Sequence, residues 1–428
     1  MHPADKTAST SENTSDVTTQ RILEYIILMH LSNQHILKIG YKRTSVMLPT
    51  DLIDRAYRGE CTKDDATSLA TAPPAELFGL ADELRAEVVG DVVSYIPNRN
   101  INFTNRCIGT CRFCAFKEPA GYRLGIPEIL NKVEEAVSLG ATEVCIQGGL
   151  LPDMHLTNYC EILESVKSEF PKIHIHAYSP MEVWYAAGRG RGPGSGAGGG
   201  GSEDRERDGA AVRAALTALK KAGLDTMPGT AAEILVDDVR TKICPDKLNT
   251  EQWIDVVRTA HSLGIRTTAT IMYGHIETMR DRIYHLFLIR NLQDETHGFT
   301  EFVPLSFMPY NNKLGEGMLA GGNYGNTGID DLRMHALARI VLHNRIPNIQ
   351  ASWVKLGKKL AQYTLHCGAN DLGGTLMEEK ISKSAGSMSG EYMPPSEFNW
   401  IIENAGRIPM VRDTIYSHQR HPTQGQGR

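Results

Sequence analysis

Apolar positions change their spacing part-way along the chain. Between Leu48 and residue 90 they recur three or four residues apart, as in AELFGLADELRAEVVG, and this spacing predicts amphipathic helices. After Asp91, short apolar runs alternate with helical stretches in six successive units. Such a series is typical of a parallel sheet with right-handed crossovers. We therefore predict an α/β fold built on a partial (β/α)6 TIM-like barrel, with N-terminal helices and a C-terminal extension. The predicted strands lie in RNINFTN, TEVCIQ, KIHIHAY, LDTMPGT, RTTATIMYG and TEFVPLSFMP.

Several predicted strands are polar on one face and apolar on the other. In NINFTN, Asn100 and Asn102 share one face and Ile101 and Phe103 share the other, because side chains alternate along a strand. Helices cover the outside of a barrel and need an apolar surface, so we expect the polar face to line a ligand-holding lumen. The same alternation assigns to the polar face Cys145, Gln147, His174, His176, Tyr178, Thr268 and Thr270. An open sheet with one solvated face is the alternative interpretation.

The pattern divides the chain into four segments. Residues 1–47 begin with a stretch rich in Ser, Thr, Asp and Asn, and we expect this head to be disordered. Residues 48–90 are predicted to be helical, 91–355 to form the barrel and 356–428 to form the extension. Within the barrel, the glycine-rich and then charged segment 188–209 is predicted to be a flexible insertion.

Composition and charge narrow the classes of partner. Charged residues make up 22% of the 428 residues and the formal net charge is −5, which does not favour a nucleic-acid-binding protein. The longest apolar-looking run, ILEYIILMHLSNQHILKIG, contains Glu24, Asn33 and Gln34, so we expect no membrane span. The eight cysteines are unevenly spaced and do not resemble a secreted disulfide framework, so we expect a reducing, cytoplasmic location.

Three of the cysteines form a compact motif, NRCIGTCRFCAF. Cys107, Cys111 and Cys114 directly follow the first predicted barrel strand, on the rim where barrel enzymes place their active sites. Thiolates this close together suit zinc or an iron–sulfur cluster. Structural zinc requires four ligands, so a zinc knuckle would need a fourth ligand from elsewhere in the chain.

This cysteine spacing, with Phe113 before the last cysteine, resembles the radical S-adenosylmethionine (SAM) superfamily. The resemblance implies one 4Fe-4S cluster bound by the three cysteines and by exchangeable SAM, together with a one-electron reductant. Gly148 and Gly149 match the glycine pair that meets the methionyl amine of SAM, although Leu150 stands where the superfamily motif has Glu. Phe113 is expected beside the cofactor, and Glu233 is expected to contact its ribose.

A further stretch, TIMYGHIE, matches the superfamily strand that touches adenine. Gly274 and Glu277 fit the pattern GxIxGxxE, whereas Thr270 replaces its first glycine and Met272 replaces its isoleucine.

Within the superfamily, five stretches together resemble the subunit of deazaflavin (FO) synthase that acts in coenzyme F-420 biosynthesis. These stretches are CRFCAF, CIQGGLLPDM, IHIHAYSPMEV, GLDTMPGTAAEIL and ANDLGGTLMEEKIS, and the similarity runs from about Leu48 to Ile408. The resemblance implies transfer of the 4-hydroxybenzyl group of L-tyrosine to C5 of 5-amino-6-(D-ribitylamino)uracil. The expected further products are 2-iminoacetate, L-methionine and 5′-deoxyadenosine. A second radical SAM subunit would close the deazaflavin ring.

Substrate contacts are predicted for His176 and Tyr178, whose side chains can hydrogen-bond to a ribityl chain or a uracil. Two alternatives stay open. Menaquinone-pathway relatives, such as aminofutalosine synthase and dehypoxanthine futalosine cyclase, share the cysteine motif, the glycine pair and AEI. A non-catalytic iron–sulfur or zinc-binding protein is the alternative from another class.

Overall fold

The computed structural model describes residues 48–188, 202–230, 232–417 and 419–420. The predicted head at 1–47 lies outside these residues. None of the helices within these ranges is both long enough and apolar enough to cross a membrane.

Three helices precede the barrel, as the apolar spacing predicts: Thr50–Tyr57, Lys63–Ala70 and Pro74–Val89. The second begins at a capping box, in which Thr62 Oγ1 accepts a hydrogen bond from Asp65 N and the Asp65 carboxylate accepts one from Thr62 N. Leu69 is fully buried on the inner face of this helix. The third helix packs on the later helix Gly328–Val341 and so attaches this segment to the barrel.

A six-stranded parallel sheet confirms the predicted strand–helix series. Its strands lie side by side in chain order: β2 (Asn98–Asn102), β3 (Glu143–Gln147), β4 (His174–Ala177), β5 (Thr226–Met227), β6 (Arg266–Tyr273) and β7 (Phe299–Ser306). The helices between these strands are Ile126–Ser138, Leu156–Glu169, Pro180–Ala186, Ser202–Ala222, Asp237–Ile243, Thr250–Ser262 and Met279–Thr296. Ile101, Ile146 and Ile175 are fully buried beneath these helices, as an outward apolar face requires.

A second sheet was not predicted. Its order is β10-β9-β1-β8, with β1 (Val92–Ile96), β8 (Asp371–Gly374), β9 (Ile408–Arg412) and β10 (Gln419–Arg420). Strand β1 pairs in parallel with β8 and β9 and runs through Pro97 directly into β2. The remaining helices are Lys313–Ala320, Gly328–Val341, Trp353–Leu356, Lys358–Thr364, Lys380–Ser384 and Pro395–Asn404.

Residues from this C-terminal part continue the barrel wall between β7 and β2. Gln350 N donates to Phe302 O at 2.9 Å, and Ala351 N donates to Asp371 O at 2.8 Å. On the far side of β8, Asn100 N donates to Leu376 O at 2.8 Å. The end of the predicted barrel segment and the extension therefore together supply backbone that joins the two outer strands of the six-stranded sheet.

The extension also fills the barrel at the amino-terminal ends of its strands. Arg412 lies 2.6 Å from the fully buried Asp371, and Tyr416 donates to Glu301 at 2.7 Å. Thr414 donates to Glu143 at 2.7 Å. Because these contacts fill the barrel at the amino-terminal ends of the strands, the barrel is open at the carboxyl-terminal ends.

The predicted flexible insertion differs from the structure in its second half. The helix Ser202–Ala222 begins inside the segment 188–209, while residues 189–201 lie outside the described ranges. Leu216 and Leu219 of this helix are fully buried, and the helix packs on Leu156–Glu169. The helix begins with charged residues, and its buried apolar residues come only later. For this reason the sequence of 188–209 did not indicate a helix.

Candidate active site

A cavity of about 430 Å³ opens at the carboxyl ends of the strands. Its walls include the polar faces of β2 and β3, among them Asn100, Asn102, Cys145 and Gln147, so for these strands the predicted inward polar face is confirmed. This volume is in the range of small-molecule sites. The loops that follow the strands supply the rest of the wall, which is where parallel barrels place their chemistry.

The loop after β2 brings Cys107, Cys111 and Cys114 to one end of this cavity. Cys107 Sγ accepts hydrogen bonds from Gly109 N and Leu150 N, both at 3.3 Å. The loop is fixed from outside as well, because Ile108 N donates to Leu150 O at 2.9 Å.

The positions of the three cysteine thiols bear on whether they could bind a 4Fe-4S cluster. A Cβ placed on Gly109 would lie 3.3 Å from Cys107 Sγ and 3.9 Å from Cys111 Sγ, so both sulfurs flank one point of the loop. Within the described ranges, no three His, Cys, Asp or Glu side chains are placed to hold a metal ion. Three soft donors around one end of a cavity fit a multi-iron cluster, in which each thiolate binds a different iron.

Gly148 and Gly149 form a cradle against the cysteine loop. A Cβ on Gly149 would lie 2.0 Å from the Arg106 carbonyl oxygen, and one on Gly148 would lie 2.5 Å from the Phe103 ring. Real Cβ atoms do not approach other atoms this closely, so only glycine lets the two loops pack together here. Both glycines line the cavity, and Gly149 lies beside Cys107; their contact with the methionyl amine of SAM stays a prediction.

Glu182 is a cavity residue that the sequence analysis missed. Its carboxylate accepts hydrogen bonds from Gly148 N at 3.0 Å and from the backbone N–H and hydroxyl of Ser179, both at 2.7 Å. Burial raises the pKa of Glu182 to about 7, against the opposing effect of these hydrogen bonds. The signal was SPME after the third predicted barrel strand, because Ser179 and Glu182 form a capping box on the barrel rim.

Glu233, which is predicted to contact the cofactor ribose, lines the cavity and pairs with Lys247 at 2.6 Å. The Lys247 ammonium also lies 5.1 Å from the centre of the Phe113 ring, within cation–π range. Glu233 has a backbone φ of +46°, a left-handed conformation that is uncommon for a residue other than glycine. Lys247 was not predicted, because an isolated lysine in a loop gives no pattern.

Polar groups also line the cavity. Gln147 donates to Thr230 at 2.9 Å, whereas the side-chain oxygen of Asn102 is buried and has no hydrogen-bond partner in the described part of the chain. Lys355 and Glu379, which the sequence analysis did not identify, line the same cavity. A buried acceptor without a partner marks a wall that a polar ligand could complete.

Two predicted substrate contacts are not brought to the cavity. Tyr178 donates its hydroxyl to Tyr159 O at 2.9 Å and packs edge-to-face on Phe103 and Tyr159 in the core. Its φ of +59° breaks the strand alternation, so the ring turns outward instead of inward. His176 Nδ1 lies 2.8 Å from Thr226 Oγ1, and burial lowers the pKa of His176 to about 4. Neither residue is among those that line the cavity.

Glu277 holds the turn after β6. Its carboxylate accepts hydrogen bonds from Gly274 N at 2.6 Å and His275 N at 2.9 Å, and it pairs with Arg282 at 2.7 Å. Glu277 therefore stabilises a buried turn, and Met272 is the member of this stretch that lines the cavity; contact of the strand with adenine stays a prediction.

Comparisons with known proteins agree with this geometry. The family model "Radical SAM superfamily" matches residues 101–289, and "CofH/MqnC C-terminal region" matches residues 296–425. A Methanosarcina barkeri protein named 5-amino-6-(D-ribitylamino)uracil–L-tyrosine 4-hydroxyphenyl transferase 2 is 55% identical over 369 residues, 86% of this chain and 91% of that protein. The Methanococcoides burtonii protein named 5-amino-6-(D-ribitylamino)uracil–L-tyrosine 4-hydroxyphenyl transferase is 57% identical over 370 residues, 86% of this chain and 99% of that protein.

Solved structures share the fold at low sequence identity. Methylornithine synthase superposes with a TM-score of 0.63 at 18% identity, over 84% of this chain and 97% of that chain. The FeFe-hydrogenase maturase HydG from Carboxydothermus hydrogenoformans superposes with a TM-score of 0.64 at 16% identity, over 95% of this chain and 87% of that chain.

Proposed function

The chain belongs to the radical SAM superfamily and, within it, to the 5-amino-6-(D-ribitylamino)uracil–L-tyrosine 4-hydroxyphenyl transferases, and from this membership we infer its reaction. It is a transferase that moves the hydroxyphenyl-bearing group of tyrosine onto the ribitylaminouracil. In finer detail, the 4-hydroxybenzyl group goes to C5 of the pyrimidine, and 2-iminoacetate is released. The observation that carries this inference is the 55% to 57% identity to the named relatives over nearly their whole length.

The superfamily implies a 4Fe-4S cluster and SAM, and the residues at the cysteine end of the cavity fit both. Cys107, Cys111 and Cys114 would each bind one iron, and the fourth iron would be left for SAM. When bound, the cluster and SAM supply a carbon-centred radical that can remove a hydrogen atom from the tyrosine amine. The role of the protein is to hold these groups and to keep water and other hydrogen donors away.

The residues around the cysteines support a site for SAM. Gly148 and Gly149 allow close approach of backbone, and Glu182 fixes that backbone through the Gly148 N–H. Phe113 offers an apolar surface, and Glu233 offers a carboxylate that can accept hydrogen bonds from ribose hydroxyls. Lys247 holds the Glu233 carboxylate in place through their ion pair at 2.6 Å.

The reaction requires partners beyond the chain. A one-electron reductant must supply the cluster, and a second radical SAM subunit must close the deazaflavin ring. The cysteines are free thiols, as is usual in a reducing compartment, and we therefore propose a cytoplasmic location.

Anaerobic product analysis tests this function. We would incubate reconstituted protein with SAM, a strong reductant, tyrosine and the ribitylaminouracil, and measure 5′-deoxyadenosine and the benzylated pyrimidine by mass spectrometry. Alanine at Cys107, Cys111 or Cys114 should abolish both products, while Cys160→Ala, on the outer helix Leu156–Glu169, should retain them.

Two outcomes would overturn the proposal. Full turnover by any of the three cysteine variants would remove the cluster assignment. A product formed only from futalosine-pathway substrates would move the chain to the menaquinone-pathway relatives, with which it shares the matched C-terminal region.

A further inference from the structure

Two residues of opposite charge, Lys355 and Glu379, line the cavity, and neither has an ion pair within the described part of the chain. Lys355 lines the cavity, and within the described ranges its ammonium has no hydrogen bond and no carboxylate within 4.0 Å. Glu379 is only 7% exposed, and its oxygens accept hydrogen bonds from Asn100 Nδ2 and Ser382 N, both neutral donors. A buried charge without an opposite charge in contact is costly, so a ligand that supplies one gains free energy on binding.

The two charges lie within electrostatic reach of each other. Burial lowers the pKa of Lys355, and the carboxylates of Glu379 and Glu233 act in the opposite direction. Glu233 is already paired with Lys247, whereas Glu379 has no ion pair within the described part of the chain. Both residues line the same cavity and make no ion pair with each other within the described ranges, so each is open to a ligand group of opposite charge.

The Glu379 side chain and the backbone that carries Lys355 are both fixed. Lys355 belongs to the short helix Trp353–Leu356, which is fixed where Trp353 Nε1 donates to Gly374 O at 3.0 Å. The Glu379 carboxylate is fixed by Asn100 from β2 and by the backbone N–H of Ser382. A carboxylate that is already held in place binds a ligand without the entropy cost of ordering a flexible side chain.

The ligands of the proposed function differ in charge. Only one of them has a carboxylate and an ammonium that are not already assigned to another part of the site. The ribitylaminouracil is neutral and suits Asn102 and Gln147, which are neutral hydrogen-bonding groups. The amino-acid part of SAM is assigned to the cysteine end of the cavity. Tyrosine remains, with an α-carboxylate and an α-ammonium joined through one carbon atom.

We propose that Lys355 and Glu379 together bind the amino-acid head group of tyrosine, with Lys355 at its carboxylate and Glu379 at its ammonium. The proposal rests on the proposed function, because that function supplies the substrate. It assigns the selection of an amino acid, as opposed to a simple phenol, to two residues on the side of the cavity formed by the C-terminal part of the chain.

Binding of tyrosine analogues to the reconstituted protein with SAM tests this assignment. Isothermal titration would compare tyrosine with tyramine, which lacks the carboxylate, and with 3-(4-hydroxyphenyl)propionate, which lacks the amine. The wild-type protein should bind tyrosine at least about 10-fold more tightly than either analogue, as expected for charged hydrogen bonds. Lys355→Met should lose the preference over tyramine, and Glu379→Gln should lose the preference over the propionate.

The control is Lys359→Met, three residues from the short helix that carries Lys355 and exposed to solvent, which should keep both preferences. SAM binding and the Michaelis constant for the pyrimidine should stay within about 2-fold of wild type in all three variants. If Lys355→Met does not fold, the isosteric Glu379→Gln decides the proposal alone.

The outcomes separate this proposal from the proposed function. If the wild-type protein makes the benzylated pyrimidine but both variants keep the wild-type preferences, the head-group assignment is wrong and the function stands. If the wild-type protein neither binds tyrosine nor forms product from it, the proposed function fails and the assignment fails with it.

Discussion

The Lys247–Glu233 pair shows how a residue can matter to the site without a sequence signal. Its side chains are 18% and 12% exposed, and it lies against Phe113 at the cysteine end of the cavity. The cysteine motif and the glycine pair were located from sequence because their spacing is itself the signal. Lys247 and Glu182 were not, because their roles arise from loops that are distant along the chain.

Removal of one partner of this pair should destabilise the protein. We expect Lys247→Met to lower the free energy of unfolding by about 2 to 3 kcal/mol, because Glu233 keeps a largely buried charge without a partner. The double variant Lys247→Met with Glu233→Gln should recover most of this loss. Urea denaturation of the SAM-free protein measures both, and an equal loss in the double variant would contradict the pairing.

The glycine cradle gives a second prediction at this scale. Gly149→Ala should prevent stable cluster assembly, because its Cβ would lie 2.0 Å from the Arg106 carbonyl oxygen beside the cysteine loop. Iron content after reconstitution measures the effect. Gly79→Ala is the control, since nothing lies within 4 Å of a Cβ there and alanine should stabilise its helix by about 0.5 to 1 kcal/mol. A full iron complement in Gly149→Ala would show that the loops can separate.

The strands and helices whose apolar residues recur at a regular spacing were predicted from sequence. Those without a regular spacing were not. The six barrel strands carry alternating faces, and the helices between them carry apolar stripes. Strand β8 has the sequence DLGG, whose residues have low strand propensity, and it forms because Ser94 and the backbone of β1 pair with it. Tyr178 shows the limit of alternation, since a single left-handed residue reverses a side chain.

The helix Ser202–Ala222 provides a test of packing at the element scale. Leu216→Ala should lower the free energy of unfolding by about 2 to 4 kcal/mol, because the side chain is fully buried. The neighbouring exposed Thr217→Ala should change it by less than about 0.5 kcal/mol. Chemical denaturation of the two variants checks this, and similar values for both would show that the helix does not pack as described.

The whole molecule depends on its C-terminal part more than the sequence indicated. The extension, residues 356–428, was predicted only as an appendage, yet together with Gln350 and Ala351 it joins β7 to β2 through backbone hydrogen bonds, and it fills the barrel through Arg412. It also places Glu379 in the cavity, which Lys355, the last residue of the predicted barrel segment, lines as well. Such long-range pairing leaves no local pattern, which is why the barrel, but not its closure, could be predicted.

The folded molecule also constrains protonation in its core. His285 is fully buried and accepts a hydrogen bond from Leu235 N at 3.0 Å, and burial lowers the pKa of His285 to about 3. The unfolded chain takes up this proton near pH 6.5, so the contribution of His285 to stability is lost as the pH falls below that value.

Comparison with a variant isolates this contribution. Relative to His285→Gln, the wild-type protein should lose up to about 1.4 kcal/mol of unfolding free energy for each pH unit between 6.5 and 5. Urea denaturation of the cluster-free protein at several pH values measures the difference. The exposed Thr217→Ala, which removes no titratable group, should give a difference that does not vary with pH. A constant difference for His285→Gln would contradict the buried neutral imidazole.

The central claim is that Cys107, Cys111 and Cys114 hold an iron cube whose remaining iron binds SAM inside the barrel cavity. Electron–nuclear double resonance on the reduced, reconstituted protein tests this directly, with SAM that is isotopically labelled at its methionyl amine nitrogen. We expect a hyperfine coupling from the label and a cluster signal that changes when SAM is added. A cluster signal that is unaffected by SAM, with no coupling from the label, would contradict the account.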